Sequence, residues 1–177
     1  YQAAPDQKSG VFATALKSLR CLEMRGTIPW VTPPTDGQRR REFVPAEFVR
    51  STGTLYCLSL ENAASAGPLI TALSSAVAGA GVEAGTRSPG GRLPVPMLVV
   101  LDEAANVVRW RDLPKLYSHF GSRGIVVMTI LQSWAQGVRC WGPDGMNALW
   151  GAANVRVIGS GIDDEVFDQS QASASGL

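Results

Sequence analysis

The order of apolar runs and helix-like stretches predicts an α/β fold with a mostly parallel sheet flanked by helices. Apolar runs rich in β-forming residues alternate with stretches that have helical spacing, in the order 53–60, 68–84, 96–101, 112–120 and 125–131. This alternation is typical of right-handed βαβ units in an open sheet. The unbroken apolar character of 125–131 predicts a central strand covered on both faces.

Composition restricts the class of protein. The 177 residues are enough for a domain with a real core, and a net charge of +1 indicates nothing about nucleic acid or membrane as a partner. Three widely spaced cysteines without a C-x-x-C pattern argue against a disulfide framework or a zinc site. They fit a reducing cytosolic compartment, and a single histidine excludes a His-rich metal site.

Further elements are predicted on either side of this central pattern. They are a helix over 8–25 with Ser9 as N-cap, a short helix over 43–50, a helix over 134–150 broken near Gly142 and Pro143, a strand over 154–158 and a helix beginning within 163–171. Asp112 is placed to cap the helix at 112–120. Cys57, in the predicted buried strand at 53–60, is expected to behave as a small apolar side chain. The stretch 68–81 is interrupted by polar residues and is too short to cross a bilayer.

Two acids, Asp102 and Glu103, end the apolar run LVVL. Carboxyl edges of parallel strands are where α/β proteins bind ligands. In nucleotide hydrolases a strand-terminal Asp holds the water shell of Mg²⁺, and the following Glu polarises the attacking water. Because successive side chains on a strand point in opposite directions, both acids can serve one site only where the strand ends and bends. The alternative is a pair of acids stabilising a helix N-terminus.

A longer block carries a more specific pattern. PMLVVLDEAANVVRWRDLPKLYSHFGSRGIVVMTILQSWAQ resembles the central block of type IV secretion coupling proteins, the TraG/TraD-like conjugation ATPases. The shared features are a strand ending in LDEAAN, a Leu-Pro before a helix, Ser-Arg-Gly before a strand, and a strand ending in Gln-Ser with Gln136 close behind. GTLYCLSL and NVRVIGSGIDD also look like that family, so the resemblance extends over most of the chain.

The resemblance implies a RecA-like P-loop NTPase core that uses ATP and Mg²⁺. Asp102 matches the Walker B acid associated with Mg²⁺, and Glu103 matches the carboxylate that orients the attacking water. Gln132 matches the glutamine that senses the γ-phosphate, and Ser133 beside it joins Asp102 and Gln132 in nucleotide binding. Arg123 is the nearest match to an arginine finger acting in trans; the alternative is a loop arginine in a subunit contact.

The chain lacks the family's Walker A pattern, G-x-x-x-x-G-K-S/T. The resemblance therefore implies the C-terminal half of the motor domain. Residues 1–42 would be the tail of an all-helical insertion with a linker, and 43–177 the C-terminal half of the RecA-like nucleotide-binding domain. By this reading the chain is a soluble cytoplasmic piece of an inner-membrane-anchored protein, and is expected to be inactive in ATP hydrolysis by itself.

The full-length protein is expected to be a homo-hexameric ATPase that translocates DNA. It would deliver relaxase-bound DNA to a type IV secretion channel in conjugation. One alternative is a non-catalytic docking or scaffold domain for relaxosome proteins. Another is a related RecA-like DNA translocase, such as a division ATPase, because that class shares the strand-end acids and glutamine.

Overall fold

Six helices and two strands make up the structure, a computed structural model that describes residues 5–35, 37, 39–59 and 66–159. The chain order is α1 (Pro5–Leu19), α2 (Ile28–Val31), α3 (Pro45–Phe48), α4 (Gly67–Arg87), β1 (Met97–Leu101), α5 (Leu113–Ser122), β2 (Ile125–Thr129) and α6 (Trp134–Ala152). Short 3₁₀ turns follow α1, at Arg20–Glu23, and α4, at Pro89–Gly91.

The two strands form a parallel pair, as the sequence predicts. Met97 lies opposite Ile125 and Leu101 lies opposite Thr129. The pairing continues past the strands, because Ile130 N donates to Leu101 O (3.0 Å) and Ala104 N donates to Ile130 O (3.1 Å). The α/β class with helices flanking a parallel sheet is therefore confirmed, with a sheet of two strands in the described part of the chain.

Helices cover one face of this sheet and build the core there. Gly81 of α4 lies so close to the sheet that an added Cβ would be 2.8 Å from Met97 Cε and 3.2 Å from Ile125 Cδ1. Tyr117 on α5 donates its hydroxyl to Val127 O (2.9 Å), which fixes α5 to β2. The core cluster consists of Ile70, Ala78, Leu93, Leu101, Ala104, Val108, Trp110, Leu113, Phe120, Ile125 and Leu149.

The prediction that 125–131 is covered on both faces is wrong. Val126, Met128 and Ile130 are exposed, while Ile125 is buried. No helix of the described residues packs on the second face, so alternate side chains of β2 face solvent. An unbroken apolar run does not by itself report how many faces of a strand are covered.

Two predicted strands do not form in the described residues. The segments 53–59 and 154–159 have no regular structure, and Leu58 and Val157 are 91% and 90% exposed. A strand needs a neighbour for its backbone N–H and C=O groups, and the sheet in the described residues consists of β1 and β2, without either segment. Cys57 is accordingly exposed and does not pack as a buried apolar residue.

The predicted helices form, with changes at their ends. The helix predicted over 8–25 extends from Pro5, whose fixed φ suits a first helical turn, to Leu19, so Ser9 lies inside α1 and is not its N-cap. Asp112 precedes α5 but makes no capping hydrogen bond through its side chain. The predicted break in α6 is confirmed at Gly142, where φ is 74° and ψ is 169°. The helix predicted within 163–171 lies outside the described residues.

Helix α4 is longer than predicted and strongly apolar. An 18-residue window of this 21-residue helix has a mean hydropathy of 1.2, and among the described residues it is the one helix long and apolar enough to span a membrane. However, Ile70, Val77 and Ala78 are buried against the rest of the chain. Of the apolar window, 28% is buried inside the chain.

Candidate functional site

The ends of β1 and β2 bring an acid and a glutamine together. Because the strands are parallel and in register, Glu103 after β1 and Gln132 after β2 emerge at the same edge of the sheet. Gln132 Nε2 donates to Glu103 Oε1 at 2.6 Å, although the two residues are 29 positions apart. A hydrogen bond to a carboxylate at this distance is a short, charge-assisted one.

The backbone bends sharply at Glu103. Its φ is 47°, in the left-handed region that side-chain-bearing residues rarely occupy. Its carbonyl oxygen then accepts from Asn106 N (2.8 Å) and Val107 N (3.0 Å), which closes a tight turn. The strand therefore ends at the point where both acids can approach one site, as the sequence argument requires.

The two acids differ in their surroundings. Asp102 is exposed, and its Oδ1 accepts from Glu103 N at 3.1 Å. Glu103 is half-buried, and Asn106 Nδ2 reaches its second oxygen, Oε2, at 3.5 Å, the outer limit for a hydrogen bond. Glu103 is thus held from both sides, whereas Asp102 remains open to solvent.

Gln132 is held in turn by the start of α6. Ser133 is the N-cap of this helix, and its Oγ accepts from Gln136 N at 3.3 Å. The side chain of Gln136 then reaches back, and its Nε2 donates to Gln132 Oε1 at 2.9 Å. Ser133 therefore orients the helix that supports the strand-end glutamine.

Helix α6 folds back on itself beside this site. The break at Gly142 allows Trp150, near its end, to pack edge-on against Trp134 at its start, with ring centroids 5.5 Å apart. The Arg156 guanidinium lies 4.9 Å from the centroid of the Trp150 ring. The sequence signal for this hairpin is the Gly-Pro step inside the helix.

Arg123 lies at the opposite edge of the sheet. It precedes β2, whereas Gln132 follows it, so the length of the strand separates the two. Arg123 Nη1 donates to Gly91 O at 2.8 Å, and Arg123 O accepts from Leu93 N at 2.9 Å. Within the described residues its buried Nε has no hydrogen-bond partner. In this chain Arg123 joins β2 to the loop before β1; a role as a finger acting on another subunit stays a prediction.

Two residues of the site were not assigned a role from the sequence. Asn106 closes the LDEAAN segment onto Glu103, and Gln136 supports Gln132. Gln132 precedes the N-cap Ser133 and is not helical, so helical spacing gives no signal for its contact with Gln136. The remaining site residues, Asp102, Glu103, Gln132 and Ser133, are brought to one edge, while Arg123 is not.

The fold and the site together define an α/β protein with an acid-and-glutamine site at the carboxyl edge of a parallel sheet. Residues 96–176 match the family model described as the TraM recognition site of TraD and TraG. This match covers the strand-end site and confirms the predicted resemblance: the chain is similar to the C-terminal part of a TraG/TraD-like coupling protein. Comparisons with curated proteins and with solved structures give no match.

Proposed function

We propose that this chain is the part of a conjugative coupling protein that docks the relaxosome and carries the acidic half of an ATP site. The observation behind the proposal is the overlap of two features: the family match at 96–176 contains the whole strand-end site. The description of that family names recognition of TraM, so docking of this relaxosome component is the first activity to expect.

The second activity is ATP hydrolysis in the assembled coupling protein. Glu103 is a half-buried carboxylate fixed by Gln132 and Asn106, so it is preorganised to accept a proton or a hydrogen bond from an attacking water. Gln132, on the neighbouring strand end, would contact the γ-phosphate. Catalysis of phosphoryl transfer depends mainly on positioning of this kind and on electrostatic stabilisation.

The residues present fit Mg²⁺ bound together with a nucleotide. Mg²⁺ is usually held by one or two carboxylates together with phosphate oxygens and waters. Asp102 is an exposed carboxylate at the strand end, and the described residues contain no cluster of three or more acidic, His or Cys ligands. Asp102 would hold the ion through its water shell, and the ion would neutralise phosphate charge.

The larger assembly follows from the same resemblance. The coupling protein would be an inner-membrane-anchored homo-hexamer with a RecA-like motor, in which this chain is on the cytoplasmic side. It would use ATP to pump relaxase-bound DNA into a type IV secretion channel. Arg123 would act across the subunit boundary, because it lies far from the acids of its own chain.

ATP hydrolysis is tested in the intact coupling protein with Glu103→Gln. Loss of the carboxylate should reduce kcat by about a hundredfold or more, because a positioned base contributes about 10²–10⁴. The control is Glu83→Gln, which removes an exposed carboxylate paired with Arg87 on α4. Normal turnover by Glu103→Gln, measured as phosphate release, would exclude the proposed role.

A non-catalytic docking function is the second candidate, favoured by the family description itself. It is tested by titrating the 177-residue chain into the TraM protein of the same conjugative element in a calorimeter. We expect saturable binding that Glu103→Gln leaves unchanged. Binding by the intact coupling protein but not by this chain would place the docking surface elsewhere.

A further inference from the structure

A continuous hydrogen-bond chain connects Glu103 to helix α6. Gln132 Nε2 donates to Glu103 Oε1 at 2.6 Å, and Gln136 Nε2 donates to Gln132 Oε1 at 2.9 Å. In this chain of hydrogen bonds, Gln132 lies between Gln136 and Glu103. Its effect on the site must pass through the Gln132 amide.

The direction of this chain is fixed by chemistry. An ionised carboxylate only accepts hydrogen bonds, so Gln132 must turn its NH₂ group toward Glu103. The carbonyl oxygen of Gln132 then faces α6, where Gln136 supplies a donor. If Gln136 could not donate, the bond to Glu103 alone would hold the Gln132 amide against rotation.

Gln136 is itself held in place. Its backbone N–H donates to Ser133 Oγ in the N-cap of α6, and its side chain is half-buried. The next residue, Gly137, leaves no room for movement: an added Cβ would be 2.4 Å from Met146 Sδ and 3.2 Å from Leu131 Cδ1. The first turn of α6 is therefore fixed against the end of β2.

We propose that Gln136 is a positioning residue that locks the orientation of the Gln132 amide, so that Gln132 faces the nucleotide as a hydrogen-bond donor. An amide nitrogen has two N–H groups, and Glu103 uses one of them in the 2.6 Å bond. The second can donate to an anionic oxygen of the γ-phosphate. This inference rests on the proposed ATP site and assigns Gln132 to phosphate binding, since an attacking water would need an acceptor in that place.

The first test compares Gln136→Glu with Gln136→Leu in the intact coupling protein. The introduced carboxylate cannot donate to Gln132 and favours a rotated amide, so kcat for ATP should fall by about tenfold or more, as expected when one positioned hydrogen bond near the reacting phosphate is lost. Gln136→Leu removes the donor but introduces no acceptor, so kcat should fall less than in Gln136→Glu. Asn147→Asp adds the same charge to an exposed position of α6 and should leave kcat unchanged.

The second test needs no enzyme activity. In the 177-residue chain, Gln136→Glu should lower Tm by about 2–4 °C, the shift expected from losing one hydrogen bond in a chain of this size. Combined with Glu103→Gln, the same change should cost almost nothing, because all bonds of the chain can then reverse direction. The Tm loss caused by Gln136→Glu should differ between the two backgrounds even in high salt, because salt screens simple repulsion between carboxylates.

The outcomes separate this inference from the proposed function. If Gln136→Glu keeps kcat within about twofold of the parent, or lowers Tm equally with and without Glu103→Gln, Gln136 does not position Gln132. If the coupling protein hydrolyses no ATP, or Glu103→Gln turns over normally, the ATP role fails. The thermal comparison still decides whether Gln136 sets the direction of the amide.

Discussion

The two faces of the sheet have the same kind of residues and opposite surroundings. On the covered face Leu101 is 3% exposed, while on the other face its neighbour Val100 is 52% exposed. The difference comes from α4, α5 and α6, which pack only on the covered face of the described structure. Apolar side chains therefore show that a face of a strand can be buried, and the position of the helices determines which face is buried.

The energetic consequence is a one-sided core. Phe120 and Leu113 are almost completely buried on the helical side, and burial of such side chains contributes about 1.5–3 kcal/mol each. Leu98 and Met128 on the other face remain exposed to solvent, so they contribute little burial free energy to stability. Substitutions should therefore have very different effects on the two sides.

The largest expected effect comes from truncation on the covered side. Phe120→Ala should lower the free energy of unfolding by about 3–5 kcal/mol, because it removes a buried ring that packs on Trp110 and leaves a cavity. Met128→Ala on the bare face should cost less than about 1 kcal/mol. Urea denaturation of the 177-residue chain measures both, and equal losses would mean that the bare face is covered in solution.

A medium effect is expected where α6 is packed most tightly. Gly137→Ala should lower the free energy of unfolding by about 1–3 kcal/mol, because its Cβ has no space beside buried Met146. The matched control is Gly151→Ala in the same helix, where no atom lies within 4 Å of an added Cβ.

That control should stabilise the chain by about 0.5–1 kcal/mol, because alanine loses less backbone entropy than glycine in a helix. If the two alanine variants unfolded at the same urea concentration, the helical hairpin would not be closely packed in solution.

The smallest effect concerns thiol access. Cys57 lies in the exposed segment 53–59, whereas Cys21 is buried. Burial raises the pKa of both the Cys57 and the Cys140 thiol, and nearby Arg109 lowers that of Cys140 in part, so the expected order of labelling follows from exposure of the two thiols.

Iodoacetamide labelling followed by mass spectrometry should modify Cys57 first. Cys140 should react more slowly because it is half-buried, and both thiols should react faster as the pH rises, because their thiolates then form. Protection of Cys57 in the folded chain would show that 53–59 is covered after all.

Sequence reasoning worked where a local pattern fixes a local structure. The strand ends at Asp102, the parallel neighbour ending before Gln132 and the break at Gly142 all follow from nearby residue types. It failed where a partner decides the outcome. GTLYCLSL has every property of a strand, yet its described part, 53–59, does not join the sheet of β1 and β2.

In the site, too, the features set by local sequence were predictable, and the contacts between side chains were not. The acids and Gln132 could be placed at one edge because parallel strands share their carboxyl ends. The side-chain connections could not be predicted, since they depend on rotamers and on the packing of α6. Gln136 and Asn106 were visible as residues of their motifs, but only the structure shows that they support Gln132 and Glu103.

The left-handed backbone at Glu103 has a consequence for how this chain can be stabilised. At φ 47° a glutamate is strained, and Gly or Asn would fit the same turn with less strain. Stability screening alone would therefore select against the carboxylate at this position. Here the sequence most compatible with the fold and the sequence most compatible with the chemistry differ at one residue.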